Sequence, residues 1–150
     1  MTFADTNIFL RYLIQPVTAI DEARAGACRA LFERVSTGAE EITTSEAVLA
    51  EIVYVLGSRR QYGLAPADIV ARLKPIVALP GLKIAQKRLY LRALDIYASH
   101  SSLDFEDAIS AAIIERMQPA KLYSYDSDFD RIPGITRVEP GRNAADGSSG

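Results

Sequence analysis

The sequence predicts an α/β fold in which a parallel sheet is covered by helices. Three observations point there. Short β-favouring runs alternate with longer stretches of helical periodicity. The 150 residues suit one domain and suffice to bury a core. The composition, 49% hydrophobic and 24% charged, is that of an ordinary globular chain. No internal repeat or linker divides the chain, so one domain is expected over 1–139. A small polar tail, 140–150, is expected to be disordered, and its Gly147-Ser148-Ser149-Gly150 ending reads as a cloning remnant.

Thr2 to Asp5 reads as a very short opening strand. Ile8, Phe9, Tyr12 and Leu13 mark a first helix, stopped by Pro16. A second helix is expected from Asp21 to Ser36, with Ala27, Ala30, Leu31 and Val35 inward and Gly38 as its C-terminal cap. Glu41 to Thr43 is a short strand, and Thr43 with Glu46 has capping-box spacing for the helix through Val48, Ile52, Val55 and Leu56. Tyr62-Gly63 breaks that helix. Pro66 and Asp68 open another that runs toward Val77, and Pro80-Gly81 turns the chain into a short strand at Leu82 to Ile84. Gln86 to Ser99 is helical, with Leu89, Ala93, Leu94 and Tyr97 inward. Asp104 to Met117 follows, with Phe105, Ala108, Ile109, Ala112 and Ile113 inward. Lys121 to Ser124 is a strand ending at Asp126, Ser127 to Arg131 a turn or short helix, and Ile135 to Val138 a last strand.

Several function classes drop out. Net charge is -2, so any nucleic-acid binding must rest on local basic patches or metal ions rather than on the overall field. The one cysteine, Cys28, permits no internal disulfide and no Cys-rich zinc site, and reads as a buried structural thiol. The one histidine, His100, follows a helix end where a polar cap suffices, which leaves no good serine triad. No signal-peptide pattern opens the chain and no apolar run nears the roughly 20 residues of a membrane span, so a cytoplasmic protein without membrane contact is expected.

Chemistry is left to carboxylates, hydroxyls and basic residues. Asp5 ends the first strand and Asp126 follows a later one. In a parallel sheet both fall on the C-terminal edge, where ligands bind, although either could simply cap a helix. Glu51 lies three residues after Val48 and four before Val55, on or bordering the apolar stripe. A carboxylate there needs a cation, a proton, an arginine or a strong hydrogen-bond network. Asp104 and Asp107 open a helix. Asp104 suits the cap, Asp107 sits a turn further in, and Glu106 faces solvent. Asp5, Glu51, Asp107 and Asp126, if gathered within a few ångströms, would repel one another. Two such charges 4 Å apart repel by roughly 4 kcal/mol at an effective dielectric of 20. Divalent cations resolve that conflict, and all-oxygen ligation suits magnesium or manganese better than zinc.

Four segments resemble the PIN-domain nucleases, and more closely their VapC-like toxin branch: Asp5 to Leu13, Ser45 to Glu51, Leu103 to Ile109, and Tyr123 to Phe129. Ser124 stands where threonine is more usual. Together the segments extend the likeness to about Val138. The resemblance implies a five-stranded parallel sheet flanked by helices on both faces, a homodimer and, in the toxin branch, an antitoxin protein that blocks the active site. It implies metal-assisted hydrolysis of RNA to a 5′-phosphate and a 3′-hydroxyl. Asp5, Glu51, Asp107 and Asp126 would hold Mg2+ or Mn2+, while Thr6, Asn7, Asp104, Ser124 and Asp128 orient ligands or phosphate.

Candidate RNA contacts are Arg11, Arg59, Arg60 and Lys87, with Lys83, Arg88 and Arg92 also basic. Tyr62, Tyr90 and Tyr97 could stack on bases, though core or dimer packing is preferred for them. Two other readings stand beside the nuclease. A haloacid-dehalogenase-like phosphatase would also place Asp5 after the first strand, but Asn7 stands where its second aspartate would be. A PIN fold that has lost catalysis could serve as a binding module.

Overall fold

The structure is a computed structural model, and it describes residues 1–141. The expectation of a disordered tail falls mainly on 142–150, outside the described residues. The chain divides into two compact units, Met1–Leu91 and a second that begins at Arg92.

In the first unit, β1 (Thr2–Phe3) pairs in parallel with β2 (Ile42–Thr43), with Thr2 opposite Ile42 and Phe3 opposite Thr43. The ladder closes with Ala4 N–H on the Thr43 carbonyl at 2.9 Å. On the other side of β2, Ile42 bridges Leu82, also in parallel. The backbone runs so close there that a Cβ on Gly81 would collide with the Glu40 and Val35 carbonyls. Glycine is therefore required at this turn for close approach.

Helix α1 (Thr6–Leu13) starts at once after β1, capped by Asp5. Helix α2 (Ala19–Thr37) is longer than expected at both ends and stops at Gly38, whose φ of 78° is the left-handed cap conformation. Its buried face is Ala25, Cys28, Phe32 and Val35, not Ala27 and Ala30, which are exposed. Alanines are scattered around this helix and carry little directional signal; the large ring of Phe32 decides the face. Phe32 packs against Phe9 and Tyr12 with ring centroids 5.5 and 4.7 Å apart. Phe9 and Phe32 are fully buried, each contributing about 1.5–3 kcal/mol, whereas Tyr12 covers them from the surface.

Helix α3 (Glu46–Gly57) is capped by Ser45, whose hydroxyl accepts from Val48 N–H at 3.2 Å. The Thr43 capping box expected from the sequence does not form, because β2 pairing holds Thr43 in the strand. Helix α4 (Pro66–Val77) has Pro66 in its first turn, where no amide partner is lost, and buries Ile69, Val70, Leu73, Ile76 and Val77. Helix α5 (Lys87–Ser99) begins in this unit and continues into the second.

In the second unit, α6 (Phe105–Ile114) buries Phe105, Ala108, Ile109, Ala111, Ala112 and Ile114. Ile113 is 46% exposed, so the inward register expected for it is corrected to its neighbour Ile114. Tyr97 of α5 meets Phe105 edge to face, with centroids 5.9 Å apart, and belongs to the core. Strand β3 (Lys121–Tyr123) pairs in parallel with β4 (Thr136–Val138), linked by a short 3-10 helix, Ser127–Arg131. Arg137 clamps this link. Its guanidinium donates to both Asp130 carboxylate oxygens, at 2.9 and 3.1 Å, to Glu139 at 3.1 Å, and to the Ser124 carbonyl at 3.0 Å.

Among the described residues the strands therefore form two separate two-stranded pairs, and the expected five-stranded sheet is corrected accordingly. The paired runs are two or three residues long. A helix cap takes over two residues after β1 and again two residues after β2, and Leu82 makes only a bridge. Short apolar runs in the sequence do not separate a strand from an extended loop.

Candidate active site

The acids fall into two sets, one in each unit. In the first, the carbonyl of Ala4 accepts the buried Thr44 hydroxyl at 2.9 Å, which anchors the chain just before Asp5. Asp5 then leaves β1 as the cap of α1, its Oδ1 accepting Thr6 N–H at 2.8 Å. Thr6 is itself buried, and its hydroxyl donates to Glu51 Oε2 at 2.7 Å. That bond ties two sequence segments 45 residues apart. Glu51 is exposed rather than part of the buried stripe, which consists of Val48, Leu49, Ile52, Val53 and Leu56. It borders that stripe, where its exposure removes the burial cost that made a partner necessary, and it accepts the Thr6 hydroxyl all the same.

In the second set, Asp104 caps α6 by accepting Asp107 N–H at 2.8 Å. The Ser124 hydroxyl accepts Asp126 N–H at 3.0 Å, and Asp126 in turn accepts Asp128 N–H at 2.9 Å to cap the 3-10 helix. Both Asp104 and Asp126 are thus helix caps, the reading that the sequence allowed for acids in these positions. Partial burial lifts the Asp107 carboxyl above its ordinary range, and the negative charges of Asp104 and Asp126 lift it further. Glu106 is exposed, as expected.

Among the described residues, no three or more His, Cys, Asp or Glu side chains cluster closely enough to hold one ion directly. Magnesium does not require that. It keeps several waters and is commonly held by one or two carboxylates. The donor chemistry fits such an ion, because Asp107 lies within the field of two other carboxylates and the available ligands are oxygens.

The basic residues singled out earlier take different positions. Arg11 pairs with Asp21 at 3.0 Å. The Lys87 ammonium donates to the Leu79 and Leu82 carbonyls at 2.5 and 2.8 Å, and burial lowers its proton affinity. Arg92 forms a two-pronged pair with Glu115 at 2.7 and 3.1 Å. Arg59 and Arg60 stand exposed after α3, and Asn7 is exposed on α1. Tyr90 donates to Glu46 at 3.3 Å.

Sequence reasoning missed Thr44, and it missed three exposed tyrosines beside the acids. Tyr54 lies one turn along α3 from Glu51 and is 73% exposed. Tyr123 and Tyr125 flank Ser124, at 76% and 72% exposed. The alternation of Tyr123 and Tyr125 about Ser124 was the available signal.

The PIN domain family matches residues 2–135, from β1 to the residue before β4. The chain belongs to the PIN domain family. The matched span contains Asp5, Glu51, Asp107 and Asp126 and runs through both units. PIN domains are in general metal-dependent nucleases, and PIN nucleases act on RNA. A search among curated proteins finds no match. Among the described residues of this PIN domain, no helix is long and apolar enough to cross a membrane.

Proposed function

We propose that the protein is an Mg2+- or Mn2+-dependent endoribonuclease and the toxin of a toxin–antitoxin pair, with an antitoxin protein and a second copy of the chain as its partners. The observation that carries the reading is that the family match takes in all four acidic segments. Asp5, Glu51, Asp107 and Asp126 are the carboxylates assigned to the cations. A bound divalent ion lowers the proton affinity of water and stabilises charge growing on phosphate and leaving oxygen.

The chain's own residues do the positioning. Thr6 holds the Glu51 carboxylate in one orientation, and Ser124 sets the turn that presents Asp126. Asp104 fixes the first turn of α6 beneath Asp107, and Asp128 continues the turn that Asp126 caps. Asn7, exposed two residues beyond Asp5, is assigned to the scissile phosphate. Arg59 and Arg60 are the better placed of the basic residues for the RNA backbone, because Arg11 and Lys87 already have partners in the fold.

The test is cleavage of single-stranded RNA by the purified wild type with and without Mg2+, beside Asp5→Asn. Metal-dependent cutting that the variant loses, with 5′-phosphate ends, supports the reading. Full activity in Asp5→Asn, free of contaminating nuclease, or Mg2+-independent cutting would refute it. Divalent-ion binding separates it from an inactive binding module, and a phosphorylated Asp5 would indicate the phosphatase.

A further inference from the structure

One cavity of the first unit borders α1, the helix that Asp5 caps, and has none of the four acids in its walls. It holds about 260 Å³ between α1, the start of α2 and the loop after α3, and Asn7, Arg11, Gln15, Val17, Asp21 and Tyr62 are among its walls. That volume is below the roughly 300 Å³ at which sites for drug-sized ligands begin, so it suits one small group. Its two charged walls, Arg11 and Asp21, answer each other at 3.0 Å. A phosphate entering there would meet a cation already neutralised and a carboxylate that repels it.

The remaining walls suit a flat, uncharged heterocycle. Tyr62 is 46% exposed, Val17 is 91% exposed at the rim, and the Asn7 and Gln15 amides are exposed donor–acceptor pairs. Unpaired RNA bases are recognised by aromatic stacking together with hydrogen bonds to their edges. The position also fits. Asp5 caps α1, Asn7 lies in its first turn, and Arg11 is six residues from Asp5, about 9 Å at 1.5 Å per residue. That reach is short enough for a nucleotide next to the one being cut.

We infer that this cavity receives a single unpaired base of the RNA, stacked against Tyr62 and read at its edge by Gln15. The inference rests on the nuclease reading and deepens it, since it makes cleavage depend on the identity of one flanking nucleotide.

The test measures binding of labelled, short, single-stranded homopolymers of A, C, G and U in EDTA by fluorescence anisotropy. A single abasic nucleotide is moved along the best binder. In wild type, one abasic position should weaken binding roughly tenfold. Tyr62→Ala should weaken the intact RNA by a similar factor and become insensitive to that abasic position. Tyr62→Phe should keep the wild-type profile. A flat abasic profile in wild type, no binding of any homopolymer, or an unchanged profile in Tyr62→Ala would overturn the inference. Because EDTA removes the metal, the two readings fail separately. A wild type that shows the abasic profile yet cuts nothing in Mg2+ loses the nuclease reading and keeps the base pocket. One that cuts while Tyr62→Ala leaves the binding profile unchanged does the reverse.

Discussion

The two carboxylate sets are built differently. The Asp5–Glu51 set is held by a long-range bond, Thr6 to Glu51, and by a second hydroxyl, Thr44, on the carbonyl before Asp5. Both hydroxyls are buried. The Asp104–Asp107–Asp126 set is held by turns of two and three residues, and partial burial together with the charges of Asp104 and Asp126 raises the proton affinity of Asp107. The first set is prearranged by packing and has a donor in place. The second places the part-buried Asp107 in the field of two like charges, so a cation bound there would relieve most.

The largest expected effect tests that contrast directly. Asp126→Asn should lower RNA cleavage by roughly a thousandfold, the scale of losing a preorganised electrostatic contact. It should also weaken Mg2+ binding by calorimetry more than Glu51→Gln does. Equal losses at both positions would erase the distinction between the sets.

Thr6→Val should reduce cleavage by roughly ten- to a hundredfold, as outer partners of metal ligands do. It should also cost about 1 kcal/mol of stability in urea titration for the lost bond. Thr6→Ser should restore most of both. Ser124→Ala, in a local turn, should cost less activity. For the scaffold, Gly81→Ala should destabilise by about 2 kcal/mol through overpacking against two carbonyls, with thermal melting as the readout.

The smallest effect concerns pH. Asp107 has a raised proton affinity in the folded state, so over that interval the native protein binds more protons than the unfolded chain. Metal-free protein should therefore lose stability as pH rises from about the ordinary value of 3.8 through the raised one. Asp21 and Asp130, lowered by Arg11 and Arg137, act oppositely, and their contribution is lost as pH falls below that value. Asp107→Asn should stabilise the metal-free protein at neutral pH by about 0.5 kcal/mol, the scale of solvent-screened pairs. Saturating Mg2+ should shrink the gain. A destabilised variant would show that Asp107 carries an unseen structural bond.

Helices were the most legible part of the chain, because periodicity, Gly38, Pro66 and the break at Tyr62-Gly63 are local signals. The acids were legible as residue types at strand ends and helix starts. Less legible were facing and pairing. The inward face of α2 depended on Phe32 meeting Phe9 and Tyr12, and the cap of α3 passed from Thr43 to Ser45 once β2 paired. Glu51 could be placed beside an apolar stripe, but its partner could not be chosen among a cation, a proton, an arginine and a hydrogen-bond network.

By itself the sequence determined which segments are helical, where most of them stop, and which four acids sit in the family's segments, since propensity, caps and motif spacing act within a few residues. Only the tertiary structure decided that the strands pair as two short ladders, that Thr6 is the donor to Glu51, and that Arg11 is neutralised by Asp21 beside an open cavity. Those outcomes depend on groups 10 to 45 residues apart competing for the same partners, and no local pattern records which partner wins.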